Sequence, residues 1–129
     1  MTQIVIISKL GQCVNKKVKN LNIDTLYKYC NLKKSTKHFT IRQTWKVGNV
    51  FISVYAKDNG RSGSENKYEL PPPVDSDLYF GNLVIISHSE EEVNNENVID
   101  LSLKEWEKIY EKLMGGYESL NDEDSYSDD

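Results

Sequence analysis

Residues 38–57, HFTIRQTWKVGNVFISVYAK, constrain the fold more than any other stretch. Phe39, Ile41, Trp45 and Val47 alternate with polar residues, and Val50, Ile52 and Val54 alternate on the way back. Between them Gly48-Asn49 has the chemistry of a two-residue turn of the primed type, whose twist matches that of paired strands. The stretch therefore reads as a β-hairpin. Phe51 and Tyr55 fall on the opposite face of the returning strand, so the sheet is apolar on both sides. One face calls for a helix, and the other for a partner or a second layer.

The rest of the chain supplies pieces of that assembly. TQIVIIS at 2–8 is short, apolar and β-branched, which is the pattern of a buried strand. A turn at Leu10-Gly11-Gln12 returns it as a lysine-decorated edge strand from Val14 to Val18. Asn22 or Asp24 can cap a short helix with Leu26, Tyr29 and Cys30 on one face, and Asn31 can end it. The stretch 58–64 has two glycines and no apolar residue, and reads as mobile. Pro71-Pro72-Pro73 is expected to run extended and polyproline-like, since each ring fixes φ. Residues 78–86 read as one strand interrupted by Gly81, and 90–97 as a charged, solvated loop. The last helix is the most fully specified. Ser102 and Glu105 form a capping box, Leu101 and Trp106 a hydrophobic staple, and Leu103, Trp106, Ile109, Tyr110 and Leu113 an apolar stripe that Gly115-Gly116 stops.

These elements predict an α+β fold: a small, mainly antiparallel sheet built on the hairpin, packed by one short helix and one longer C-terminal helix. A single domain is expected over residues 1–118, with a flexible acidic tail at 119–129 that buries too little to order itself. The longest apolar run, Ile4 to Ile7, is far short of a bilayer span, and the N-terminus lacks a signal-peptide pattern. The expected setting is soluble and intracellular, which suits two cysteines read as reduced thiols.

Charge divides the chain in two. Residues 1–60 carry eleven Lys and Arg against two Asp and Glu, whereas residues 61–129 carry five against eighteen. That split points to two surfaces with different partners.

No catalytic constellation emerges. Cys13, Cys30, His38 and His88 lack the short-range ligand pairs of structural zinc modules, so neither a metal nor any other cofactor is expected. Neither cysteine sits in an activating turn beside a histidine. Asp75 and Asp77 are two apart in a loop, where paired acids are usually solvated. Residues 60–64 do not make a phosphate-binding loop.

The basic half is more informative. Lys16, Lys17, Lys33, Lys34, Lys37, Arg42 and Lys46, interleaved with Tyr27, Tyr29, Phe39 and Trp45, suit phosphate neutralisation with base stacking. The plainer reading is a solvated lysine face over a core of aromatics, and a single arginine argues against specific base readout.

Two stretches carry a resemblance. Residues 64–75, SENKYELPPPVD, lead into Leu78-Tyr79-Phe80-Gly81, and Trp106-x-x-Ile109-Tyr110 leads through Gly115-Gly116-Tyr117-Glu118 into acidic residues. Both are similar to a family of uncharacterised small proteins encoded by giant nucleocytoplasmic DNA viruses related to mimiviruses. Lys28-x-Cys30 and Thr44-Trp45-Lys46 fit the same pattern. The resemblance implies a viral protein of the host cytoplasm or viral factory, or one packaged in the virion, and brings no activity to transfer. Members of the family continue through a longer charged tail than this one.

The functional expectation is a non-enzymatic viral interaction module. Its protein partner, viral or host, would contact Tyr68, Pro71, Pro72, Pro73, Asp75 and Tyr79 together with the acidic tail. The alternative is a factor associated with nucleic acid, in transcription or genome packaging, that uses the basic half. No membrane partner is expected.

Overall fold

The computed structural model describes residues 1–30, 32 and 38–115. The β-branched first segment forms β1 (Thr2–Ile7), and after a turn closed by the Gly11 N–H donating to Ser8 O the chain returns as β2 (Cys13–Val18). A 3₁₀ helix follows at Ile23–Cys30. The hairpin is β3 (Phe39–Val47) and β4 (Val50–Lys57), and β5 spans Phe80–His88. A two-residue strand, β6 (Val98–Ile99), precedes helix α1 (Leu103–Met114). The result is a small α+β protein with a mostly antiparallel six-stranded sheet and two helices. Asn31, Lys33, Lys34, Lys37, Gly116 and the 119–129 tail lie outside the described residues.

The strands run in the order β2-β1-β5-β4-β3, with β6 pairing the end of β5. Because side chains alternate across a strand, each face has its own core. On one, Val5, Ile7, Trp45, Ile52, Val54, Leu83 and Ile85 pack under Trp106 of α1. On the other, Ile4, Ile6, Tyr55, Val84 and Ile86 pack under Leu26 and Cys30 of the 3₁₀ helix. The second layer thus comes from the chain itself.

α1 starts where its cap dictates. Ser102 Oγ accepts from the Glu105 N–H at 3.1 Å, and Glu105 Oε1 accepts from the Ser102 N–H at 2.9 Å. Leu101 and Trp106 are both buried in one core cluster, and the Gly115 N–H closes the far end. At the hairpin turn Gly48 has φ +62° while Asn49 keeps a negative φ. One positive φ, at the first central residue, is the signature of the II′ member of the primed turns.

The short helix forms where expected, as a 3₁₀ helix with Asn22 Oδ1 accepting from the Asp24 N–H at 2.9 Å as its cap. Two expectations need correcting. First, β3 does not keep one alternation throughout. Its register with β4 slips between Ile41 and Gln43, so Arg42 is an extra residue and the pleat changes phase across it. Phe39 therefore packs in the 3₁₀-side core, its ring 6.2 Å from that of Tyr55, while Trp45 and Val47 reach the α1 side.

Second, the proline segment is not extended. Val74 N–H donates to Pro71 O at 3.3 Å and Asp77 N–H to Val74 O at 3.2 Å, which makes two consecutive turns, with a cis bond between Pro72 and Pro73. Leu70 and Val74, 3% and 6% exposed, pull the segment down onto the sheet. Proline fixes φ but leaves ψ open, so this burial decides the path.

Candidate interaction surface

The 69–79 segment combines a buried underside with an exposed crest. Leu70, Pro71, Val74 and Tyr79 are buried and Tyr68 is partly buried, whereas Pro72, Pro73, Asp75, Asp77 and Leu78 are exposed. Of the residues expected to meet a partner, the structure therefore brings Pro72, Pro73 and Asp75 to the surface. It turns Tyr68, Pro71 and Tyr79 inward as anchors.

Polar contacts fix the same segment. Trp45 Nε1 donates to Pro72 O at 2.7 Å, reaching from β3 to the crest. Tyr110 of α1 donates its hydroxyl to Glu69 O at 2.6 Å, and Tyr79 OH donates to Asp77 Oδ2 at 3.2 Å. Burial, with the neighbouring Asp77 carboxylate adding to it, pushes the Tyr79 phenol up to about 12. Tyr68 is raised further, chiefly by burial and then by the Cys13 thiol beside it. Both phenols stay neutral at physiological pH, as packed anchors should. Trp106 Nε1 donates to Tyr68 OH at 3.1 Å, linking the helix to the segment through a second indole.

The role of Trp45 and the exposure of Leu78, at 56%, were not visible in the sequence. The sequence places Leu78 in a strand over 78–86, but β5 begins only at Phe80 and leaves Leu78 outside it. Together with Asp75 and Asp77 it gives the crest an apolar and acidic character.

Among the described residues, the basic side chains of the alternative reading do not gather. Lys16 and Lys17 lie on β2 and Lys46 on β3, the two opposite edges of the sheet. Four inter-strand steps separate those edges, roughly 19 Å at the usual spacing. Arg42 is occupied. It donates through Nε to Ala56 O at 3.1 Å and through its other nitrogen to His38 O, pairs with Asp58 at 3.4 Å, and lies 5.7 Å from the Tyr79 ring centroid. Its work is to hold the β3 bulge against the proline segment.

Cys13 and Cys30 are free thiols in the cores on opposite faces of the sheet. Burial pushes the Cys30 thiol up to about 12 and raises Cys13 as well, so neither is a ready thiolate. Among the described residues no three His, Cys, Asp or Glu side chains converge as a metal cluster would. No described helix is long and apolar enough to cross a membrane.

One polar constellation escaped the sequence reading. Ser53 Oγ lies 2.6 Å from His88 Nε2, His88 Nδ1 lies 2.6 Å from Glu90 O, and Thr44 Oγ1 lies 2.8 Å from Ser53 Oγ. A carbonyl only accepts, so Nδ1 carries the proton, Nε2 accepts from Ser53, and Thr44 donates to Ser53. Burial lowers the His88 pKa, opposed in part by the Glu90 carbonyl, so the ring is neutral. A serine donating to an imidazole is the hydrogen bond of a nucleophile–base pair. Ser53 and His88 are both 0% exposed, however, and the Phe51 ring stacks on the imidazole at 5.9 Å. The pair was missed because Ser53 and His88 are 35 residues apart and meet only through the β4–β5 register.

Two shallow clefts flank Phe39 on the 3₁₀ side. One, of about 280 Å³, is lined by Cys30, Phe80, Lys57 and Arg61, and the other, of about 390 Å³, by Tyr27, Asp24 and Tyr55. Neither contains the Ser53–His88 pair.

No family model, no curated protein and no solved structure matches the chain.

Proposed function

We propose that this protein is a non-enzymatic interaction module that takes a protein partner on the crest of the 69–79 segment, with its acidic tail as a second contact. The carrying observation is the division of that segment into a buried underside, held by Trp45 and Tyr110, and an exposed crest of Pro72, Pro73, Asp75 and Leu78. A surface fixed before binding loses little conformational entropy when a partner arrives, so more of its contact energy appears as affinity. An apolar leucine following two exposed carboxylates suits a partner groove with a hydrophobic pocket and a basic rim. Burial of the Ser53–His88 pair supports the non-enzymatic half of the reading, since a reacting atom must be reachable. In line with the resemblance noted above, the setting proposed is a cell infected by a large DNA virus, with the protein in the cytoplasm, the viral factory or the virion.

The test replaces only exposed side chains. Asp75→Asn combined with Leu78→Ser leaves the buried anchors in place, and the far-ultraviolet circular dichroism should be unchanged. Affinity-tagged protein from infected cells should then lose its partner, with affinity falling by about tenfold or more. An unchanged set of partners would contradict the proposal.

The nucleic-acid reading is less well supported, because Arg42 is occupied and Lys46 lies across the sheet from Lys16 and Lys17. Its mark would be binding that weakens steeply with salt.

A further inference from the structure

β2 forms one edge of the sheet and β3 the other, and the two differ in how far they are closed. β3 carries the bulge at Arg42, its Gln43 side chain donates to the Thr44 carbonyl at 3.0 Å, and its Trp45 indole is tied to the proline segment. Bulges and covering contacts of this kind blunt an edge. β2 has neither. It pairs with β1 over six consecutive residues without a register shift, and among the described residues no strand lies on its outer side.

The register shows which backbone groups of β2 lie open. Gln3 of β1 accepts at its carbonyl from the Leu101 N–H at 3.0 Å, and its own N–H donates to Asp100 Oδ1 at 2.9 Å, so both groups point away from β2. Partners in an antiparallel pair either face each other or both turn away. Lys17 is the partner of Gln3, so it turns its N–H and C=O outward, and by alternation so does Asn15. The Asn15 side chain turns inward, donating to Ile4 O at 3.2 Å, and leaves these groups uncovered. Such an edge is a template for a further strand.

The side chains decide what that strand can be. Val14, Asn15, Lys16 and Lys17 are all exposed. Lys16 lies on the 3₁₀ face, its ammonium 5.9 Å from the Tyr29 ring centroid, so Lys17 lies on the α1 face. The ion pairs among the described residues are made by His38, Arg42 and Asp58, which leaves both lysines without a carboxylate partner there. An added strand therefore meets an unneutralised cation on each face, and next to Lys16 the 51% exposed Val14. A second copy of β2 would bring further lysines to the same faces, and like charges directly opposite are destabilising. A nucleic acid would meet the lysines but has no ladder of alternating donors and acceptors for the Asn15 and Lys17 backbone.

We propose that the outer edge of β2 takes an extended acidic segment of a partner protein as an added antiparallel strand. Two consecutive carboxylates lie opposite Lys17 and Lys16, one on each face, and an apolar residue two positions further on lies opposite Val14. The site shares no residue with the crest, which is tied to β3 at the other edge of the sheet.

The capped peptide Thr-Val-Thr-Glu-Glu-Thr-Val-Thr presents this pattern in either direction and serves as the probe. It is titrated into the full chain at about 10 mM salt, where the Debye length is about 30 Å, and amide NMR signals are followed. The Asn15 and Lys17 amides should shift and, at saturation, exchange about tenfold more slowly, as newly hydrogen-bonded groups do. The variant Lys16→Glu, Lys17→Glu should bind at least about tenfold more weakly, since two exposed ion pairs become repulsions. Its Ile4 and Ile6 amides report that the sheet is intact. Asp75→Asn with Leu78→Ser should bind the peptide as the unmodified chain does, which separates this edge from the crest. Replacing the two inner threonines of the peptide by proline removes backbone donors at constant charge and should abolish the protection. Equal binding of the proline peptide would overturn the proposal by reducing it to charge attraction. Stronger protection of Asn15 and Lys17 by decadeoxythymidine than by the peptide would overturn it in favour of nucleic acid. Protection present before any peptide is added would also overturn it, since the edge would then be taken by this chain or a second copy.

Discussion

The two faces of the sheet are both covered, yet by different means. On one, an α-helix with a complete capping box and an anchored turn meet in a cluster of aromatic rings: Trp45 and Trp106 at 6.4 Å, Trp106 and Tyr110 at 5.7 Å, Tyr68 and Tyr110 at 5.1 Å. On the other, a 3₁₀ helix packs beside shallow clefts and a buried polar chain through Thr44, Ser53 and His88. The difference teaches where rigidity is built. Each large ring on the α1 face both fills volume and makes a hydrogen bond, so the proline segment is held by dispersion and hydrogen bonds at once. The 3₁₀ face has fewer such double contacts, and its polar chain ties β3, β4 and β5 to one another and ends on the Glu90 carbonyl, away from the proline segment.

The sharpest way to break this contrast is to remove the ring at its centre. Trp106→Ala deletes a fully buried side chain and the hydrogen bond to Tyr68, and should cost about 3–5 kcal/mol in chemical denaturation. Leu26→Ala on the other face should cost about 2–4 kcal/mol, and it should leave the chemical shifts of residues 74–79 in place. If Leu26→Ala disturbs those shifts as much as Trp106→Ala does, the faces are not independent supports.

The smallest expected effect lies on the 3₁₀ face and is pH-dependent. Burial lowers the His88 pKa below its usual 6.5, so folding favours the neutral ring. The stability this contributes is complete above the unfolded pKa of about 6.5. It is lost as pH falls from there through the lower folded value. Stability should therefore decline on acidification below about pH 6.5 more steeply in the unmodified chain than in His88→Gln. Parallel pH profiles for the two would show that His88 is not held neutral by the fold.

Much of the architecture was legible locally. The cap of α1 needed only Ser102 and Glu105, the hairpin only Gly48-Asn49 between alternating strands, and β1 only its β-branched run. What was illegible depends on residues distant in sequence. The bulge at Arg42 exists because that side chain finds Ala56 O, Asp58 and Tyr79, none of them local. β6 has two residues, too few for any periodicity, and forms because β5 continues beyond β1. Within the candidate surface, Pro72, Pro73 and Asp75 were identified as exposed contacts, but the proline run gave no sign that Leu70 and Val74 would fold it into turns. Tyr68 and Tyr79 were assigned to a partner because an aromatic beside a proline run suits an interface as readily as a core.

The central claim is that the crest is ordered before any partner binds, and backbone ¹⁵N relaxation of the free protein tests it directly. Val74, Asp75, Ser76, Asp77 and Leu78 should have order parameters near those of the sheet, about 0.85. Values below about 0.6 across these residues would mean that the crest is a flexible loop, and would contradict the account.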